Sequence, residues 1–108
     1  MKVRVSGKQF EIGEALSGQV RTKLEAVGKL FDGGADANVV FSHEGPGFRV
    51  DCTTHLDSGV VLKAEGLAKD AYHAFDEALD RLEKQIRRYK RKLKNHHEKT
   101  KPAKADQV

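Results

Sequence analysis

Val3 and Val5 alternate with Lys2, Arg4 and Ser6, the two-residue period of a short strand. Ser6-Gly7 begins a break. From Glu14 to Phe31 the period changes. Leu16, Val20, Leu24, Val27 and the Leu30/Phe31 pair recur at three and four residues, which predicts an amphipathic helix. Gly13 stands at its N-cap, a weaker choice there than Ser, Thr, Asp or Asn. Gly28 is expected to fray the last turn, and the stretch DGGAD, Asp32 to Asp36, to end it.

Three strand-like runs follow. Ala37, Val39, Phe41 and His43 alternate with polar neighbours, as do Phe48, Val50, Cys52, Thr54 and Leu56, and then Val60, Leu62 and Ala64. Alternation predicts one buried and one wetter face for each. Pro46-Gly47 marks a turn between the first two runs. Asp57-Ser58-Gly59 suits a three-residue hairpin loop with glycine at the left-handed position. A long helix is then expected from about Ala68 or Asp70 to about Lys94, with Ala71, Phe75, Ala78/Leu79, Leu82, Ile86, Tyr89 and Leu93 as its apolar seam. The order is β-α-β-β-β-α. The economical architecture is an α+β fold, a four-stranded mixed sheet with both helices packed on one face. Residues 1–95 form the expected domain. Residues 96–108 are polar and without period, and are expected to be a disordered basic tail or linker.

Composition changes this picture in one respect. The formal net charge is only +4, but residues 1–80 hold 9 Lys/Arg against 13 Asp/Glu, while residues 81–108 hold 11 against 3. Cations crowded into the last quarter of a chain point to a polyanionic partner. The N-terminus has no apolar core of a signal peptide, and no window is apolar enough for a membrane span. The lone Cys52 makes no internal disulfide, which fits a cytoplasmic setting.

The charge belongs to the last helix. With Leu82 at the centre of its buried face, His73, Asp80, Lys84, Arg87 and Arg91 fall on the opposite side, at 100° per residue. That side is mixed and mildly acidic at first, then wholly basic. The helix macrodipole accounts for one or two cations in a last turn. It does not account for Arg87, Arg88, Lys90, Arg91, Lys92 and Lys94 together, since like charges repel at i,i+4. A coiled coil calls for mixed charges beside its seam, and a membrane-surface helix for bulky apolar residues that the sheet here claims. A localisation signal is purely compositional and stays open. Sequence-specific DNA reading favours side chains aimed at base edges. Phosphate-type cations fit RNA recognised by shape and backbone better.

Three stretches carry a resemblance to a known family. VSGKQFEIGEAL, Val5 to Leu16, resembles the opening strand and first-helix entry of the ribosome hibernation promoting factors, also called ribosome-associated inhibitor or protein Y. HEGPGFRVDCTTH, His43 to His55, resembles their second hairpin. DAYHAFDEALDRLEKQIRRYKRKL, Asp70 to Leu93, resembles their signature helix and is the most specific of the three. The resemblance covers residues 1–95 and implies the same β-α-β-β-β-α fold. It implies a partner, the small (30S) ribosomal subunit, and a site, the mRNA/tRNA channel lined by 16S rRNA. It implies inhibition of translation and preservation of idle ribosomes in stress or stationary phase. On this chain the rRNA-facing positions fall at Arg81, Lys84, Arg87, Arg88 and Arg91, with Lys92 and Lys94 beside them. Supporting cations fall at Lys2, Arg4, Arg21, Lys23 and Lys29. The family often has Thr where Gly13 stands, and the acidic tail of some short members is replaced by KTKPAKADQV, which resembles the start of a linker. Long members continue into a dimerisation domain, so a short form and a truncated long form both stay open, as does dimerisation of ribosomes or of a longer form.

The remaining chemistry-bearing residues have plainer readings. Cys52 shares the face of Val50 and is expected to be a core thiol. His96, His97 and Glu98 lack the spacing of a closed metal site. Asp76, Glu77, Asp80 and Glu83 sit beside Arg81 and Lys84, where helical ion pairing is the ordinary explanation. Tyr89 belongs to the seam, and Tyr72 is open between packing and base stacking. No phosphate-loop pattern and no acid–base constellation is present, so no enzyme, cofactor or metal is expected. The alternative to a ribosome-binding domain is a generic double-stranded RNA module, whose α-β-β-β-α order matches residues 14–94. The lysines such a module carries at the start of its last helix are replaced by AKDAYHAFDEALD.

Overall fold

The computed structural model describes residues 1–30 and 34–99, the last seven of these in backbone course alone. β1 (Lys2–Gly7) leads into α1 (Glu14–Gly28), then β2 (Ala35–Glu44), β3 (Gly47–Leu56), β4 (Val61–Ala68) and α2 (Ala71–Lys99). The strands lie in the order β1-β2-β3-β4. β1 pairs parallel to β2, and the other two pairings are antiparallel. A parallel neighbour needs a crossover, and α1 supplies it. The expected mixed sheet with two helices on one face is therefore what forms.

Turn chemistry follows the sequence. Glu44 pairs with Gly47, leaving Gly45-Pro46 as a two-residue loop, with Gly45 at φ +56. A positive φ at the first loop position is what a hairpin of this kind asks of glycine. At the next hairpin the Leu56 N–H donates to the Val60 carbonyl at 2.9 Å, and Gly59 takes φ +95 inside the three-residue loop.

Val3, Ala37, Val39, Phe41, Val50, Cys52 and Ala64 form the covered face of the sheet. Against it pack Leu16, Val20, Leu24 and Val27 of α1, and Ala74, Phe75, Ala78, Leu82 and Ile86 of α2. Phe75 sits with its ring centroid 6.5 Å from that of Phe41, joining α2 to the central strand. Gly13 caps α1 with no side-chain hydrogen bond, as its missing side chain dictates. Cys52 is buried, and burial pushes its thiol up to about 11, with the neighbouring Thr54 hydroxyl pulling the other way. Native protein is accordingly expected to react with a thiol reagent no faster than it unfolds, whereas denatured protein reacts at once. Rapid stoichiometric labelling under native conditions contradicts the burial.

Several boundaries differ from the sequence expectation: α1 ends at Gly28 rather than Phe31, β2 begins at Ala35 rather than Ala37, β4 runs on to Ala68 past Ala64, and both ends of α2 shift. α2 begins at Ala71, one residue past the Asp70 start and three past the Ala68 start expected, because Gly66 to Ala68 stay paired with β3, Ala68 opposite Phe48. The Asp70 carboxylate accepts the His73 N–H at 2.9 Å and so caps the helix. That N–H, and then the His73 ring, hold the Asp70 carboxyl below its usual range, while Asp70 raises the His73 imidazole. At the other end α2 runs on to Lys99, five residues past Lys94. The rest of the expected tail, and Phe31, lie outside the described residues.

Candidate nucleic-acid interface

α2 runs opposite to β4 along its whole length. Glu77 meets Leu67, Arg81 meets Glu65, and Gln85 meets Lys63. Tyr89 then reaches the β3–β4 loop, its hydroxyl 3.1 Å from that of Ser58. Past this point no α2 residue joins the core or bonds to a strand among the described residues. Residues 91–99 continue the helix for about 13 Å, at 1.5 Å per residue.

The same end of the sheet gathers other basic residues. Lys2 opens β1 opposite Asp36, next to the close of β3 at Leu56. Lys29 follows the end of α1. Lys90 donates to the Leu30 carbonyl at 2.7 Å and ties the two helices together there. The opposite end holds the first turns of both helices, with Glu14, Asp70, Asp76, Glu77 and Asp80. The charge of α2 is thus graded along its length, acidic in its first half and basic in its last turns.

The cations singled out from sequence divide into three groups. Arg87, Arg88, Arg91 and Lys92 are exposed and make no ion pair or side-chain hydrogen bond among the described residues. Arg87 and Arg88 flank the last packed turn of α2 before Tyr89, and Arg91 and Lys92 lie just beyond it. Lys94 follows them in sequence, its side chain outside the described ones. A second group is already engaged within the fold. Arg21 donates to the Val3 carbonyl at 2.7 Å, and Lys23 pairs with Asp76 at 2.6 Å. Arg81 donates to the Glu65 carbonyl at 2.7 Å and faces Glu77 at 3.7 Å, while Lys84 pairs with Asp80 at 3.2 Å. These exposed pairs add at most about 1 kcal/mol each, but they lower the charge offered to a partner. The third group is set apart by the sheet itself. Lys2 and Arg4 lie on its uncovered face, where with Asp36, Asn38 and His55 they line a shallow cavity of 170 Å³. Lys29 is exposed on the helix side.

Sequence reasoning counted Lys90 among the surplus cations and Glu77 among the helical ion pairs and passed over Gln85, yet all three place α2 against its neighbours. The i,i+4 spacing of Glu77, Arg81 and Gln85 was the available signal. Tyr72 is exposed, at 39%, and Tyr89 is half-buried in the seam as expected. Among the described residues no three His, Cys, Asp or Glu side chains gather as a metal site would require. No described helix is long and apolar enough to cross a membrane.

Residues 3–94 match the family described as Sigma 54 modulation protein / S30EA ribosomal protein. The chain belongs to this family. The ribosome hibernation promotion factor of Rhizobium meliloti is 51% identical over 98 residues, which cover 90% of this chain and 52% of that protein. The ribosome hibernation promoting factor of Escherichia coli K12 is 34% identical over 97 residues, covering 89% of this chain and all of the relative. The chain thus spans about half the length of the first relative and the whole of the second. The crystal structure of the Thermus thermophilus Protein Y N-terminal domain superposes with a TM-score of 0.75 at 33% identity, over 82% of this chain and 99% of that one. A ribosomal subunit interface protein from Coxiella burnetii, 24% identical, shares the fold with a TM-score of 0.77, over 83% of this chain and 98% of that one. The family's fold and the resemblance read from the signature helix agree.

Proposed function

We propose that this chain is the ribosome-binding domain of a hibernation factor. It binds 16S rRNA of the small subunit in the mRNA/tRNA channel, blocks translation and preserves idle ribosomes in the cytoplasm. It does so without catalysis, by occupying the channel. Pairing of ribosomes, or of a longer form through a further domain, belongs to the same proposal. Family membership and the names of the relatives support a ribosomal partner. The observation that carries the reading is the C-terminal part of α2, where Arg87, Arg88, Arg91 and Lys92 stand exposed without a carboxylate partner among the described residues. Four like charges on adjoining stripes of one helix repel each other. A polyanion relieves that repulsion.

Co-sedimentation with small subunits at increasing salt tests it. Four phosphate contacts give a log–log slope of about −3 to −4, from counterion release. A flat salt profile contradicts the electrostatic surface. Equal affinity for any RNA duplex would favour the double-stranded RNA module instead, whose α-β-β-β-α order α1 to α2 also follows.

A further inference from the structure

Both outer strands of the sheet carry backbone groups that no neighbouring strand takes up. On β4 these belong to the odd-numbered residues, since a residue in an antiparallel ladder turns its N–H and C=O to the same side. Three of these groups are met by α2. Glu77 accepts the Leu67 N–H at 2.8 Å, Arg81 donates to the Glu65 carbonyl at 2.7 Å, and Gln85 donates to the Lys63 carbonyl at 2.5 Å. The fit is metrical. Four helical residues rise about 6.0 Å and two strand residues about 6.6 Å, so one i,i+4 stripe of a helix can follow every second residue of an antiparallel strand. On the other edge, Arg21 of α1 treats the Val3 carbonyl of β1 in the same way, at 2.7 Å.

The sequence of β4 gives this cover a purpose. Residues 61–67 read Val-Leu-Lys-Ala-Glu-Gly-Leu. Two such strands laid antiparallel about Ala64 set Lys63 opposite Glu65 of the second copy, and Val61 opposite Leu67 of the second copy. These pairings use the outward N–H and C=O groups, so the register is one the ladder allows. The opposite charges attract. Val61 and Leu67 are 44% and 46% exposed, so their pairing also removes apolar surface from water. Uncovered, β4 is a self-complementary edge of the kind that joins two copies about a two-fold axis.

We propose that Glu77, Arg81 and Gln85 hold the β4 edge shut against a second copy of the chain, and that Arg81, with Arg21 of α1 at the β1 edge, belongs to this guard rather than to the nucleic-acid surface. The first half is independent of the rRNA reading. The second rests on it, and a separate measurement reads it.

Sedimentation velocity of the full chain tests the first half. The triple variant Glu77→Ala, Arg81→Ala, Gln85→Ala is expected to form a concentration-dependent dimer where the unaltered chain stays monomeric. Adding Lys63→Glu sets like charges opposite each other and is expected to dissociate that dimer. Adding Glu65→Lys as well restores the opposite pairing and is expected to bring it back. A triple variant that stays monomeric with a native circular-dichroism spectrum overturns the guard, as does a dimer indifferent to the charge swaps. Arg81→Met keeps the apolar stem and removes only the donor. It supplies the milder test should the triple variant unfold, and dimerises in the same sense though less tightly. For the second half, Arg81→Met and Arg21→Met are expected to leave the salt slope of small-subunit binding unchanged, whereas Arg88→Met lowers it by about 1. An equal loss of slope in the Arg81 or Arg21 variant returns that residue to the nucleic-acid surface. Absence of small-subunit binding by the unaltered chain removes the proposed function and leaves the dimer experiment intact.

Discussion

Arg87→Glu combined with Arg88→Glu is expected to abolish co-sedimentation with small subunits while leaving the domain folded. The two residues stand between the buried Ile86 and the half-buried Tyr89, and both are exposed. The fold loses no hydrogen bond or ion pair found among the described residues. The helix is expected to gain. Glu at 87 and 88 stands four residues before Arg91 and Lys92, the favourable order for i,i+4 pairing, worth about 0.2–0.5 kcal/mol per pair. The partner loses more than two contacts, because two attractive charges become two repulsive ones on the same stripes as the cations that remain. An affinity loss of about 100-fold or more at low salt is the expected scale. Binding assays and thermal unfolding on the same sample separate the effects. Unchanged binding by the folded variant refutes the C-terminal part of α2 as the contact surface.

Gly66→Ala is expected to damage the fold itself. Gly66 faces the covered side of β4, and a Cβ built there would lie 2.1 Å from the Ala74 carbonyl oxygen and 2.6 Å from the Ala78 nitrogen. Both obstacles are helix backbone, and Ala74 and Ala78 are fully buried. No side chain can swing aside, so α2 must lift from β4 or the strand must bend. Overpacking of this kind costs about 1–3 kcal/mol and sometimes more. For a domain of this size that corresponds to a fall in Tm of about 4–24 °C. Substituting Ala74 or Ala78 by glycine is not expected to rescue it, since their side chains are not what the new methyl meets. Gly18→Ala supplies the opposite sign. It lies within α1, its Cβ would have nothing within 4 Å, and alanine there is worth about 1 kcal/mol of helix stability. A Gly66→Ala protein as stable as the original refutes the close approach of α2 to β4.

The element order, both hairpin loops and the covered face were legible because each has a local signal. Alternation marks strands, three-and-four spacing marks helices, and glycine marks the turns. The start of α2 was not legible to the residue. Ala68 and Lys69 are good helix formers, and only the ladder that pairs Ala68 with Phe48 holds that segment extended. The basic set could be read as a set, but its division could not. Arg81 and Arg88 look alike in sequence, and both lie off the seam. What separates them is that Arg81 stands beside the outward carbonyl of an edge strand, and which strand is an edge is a property of the topology. The same holds for Arg21. The value of Gly66 was hidden for a related reason, since a missing side chain leaves no mark in a hydrophobic pattern.

The grading of charge along α2 also bears on how the molecule approaches a partner. With cations at one end and carboxylates at the other, the domain carries a permanent electric dipole, and the field of a polyanion exerts a torque on it before any contact forms. The basic tip is turned forward and the acidic end trails. Misoriented encounters are thereby reduced within a screening length, which is about 8 Å at physiological salt. Lowering the salt lengthens the reach of this steering, so the rate of association is expected to rise with it.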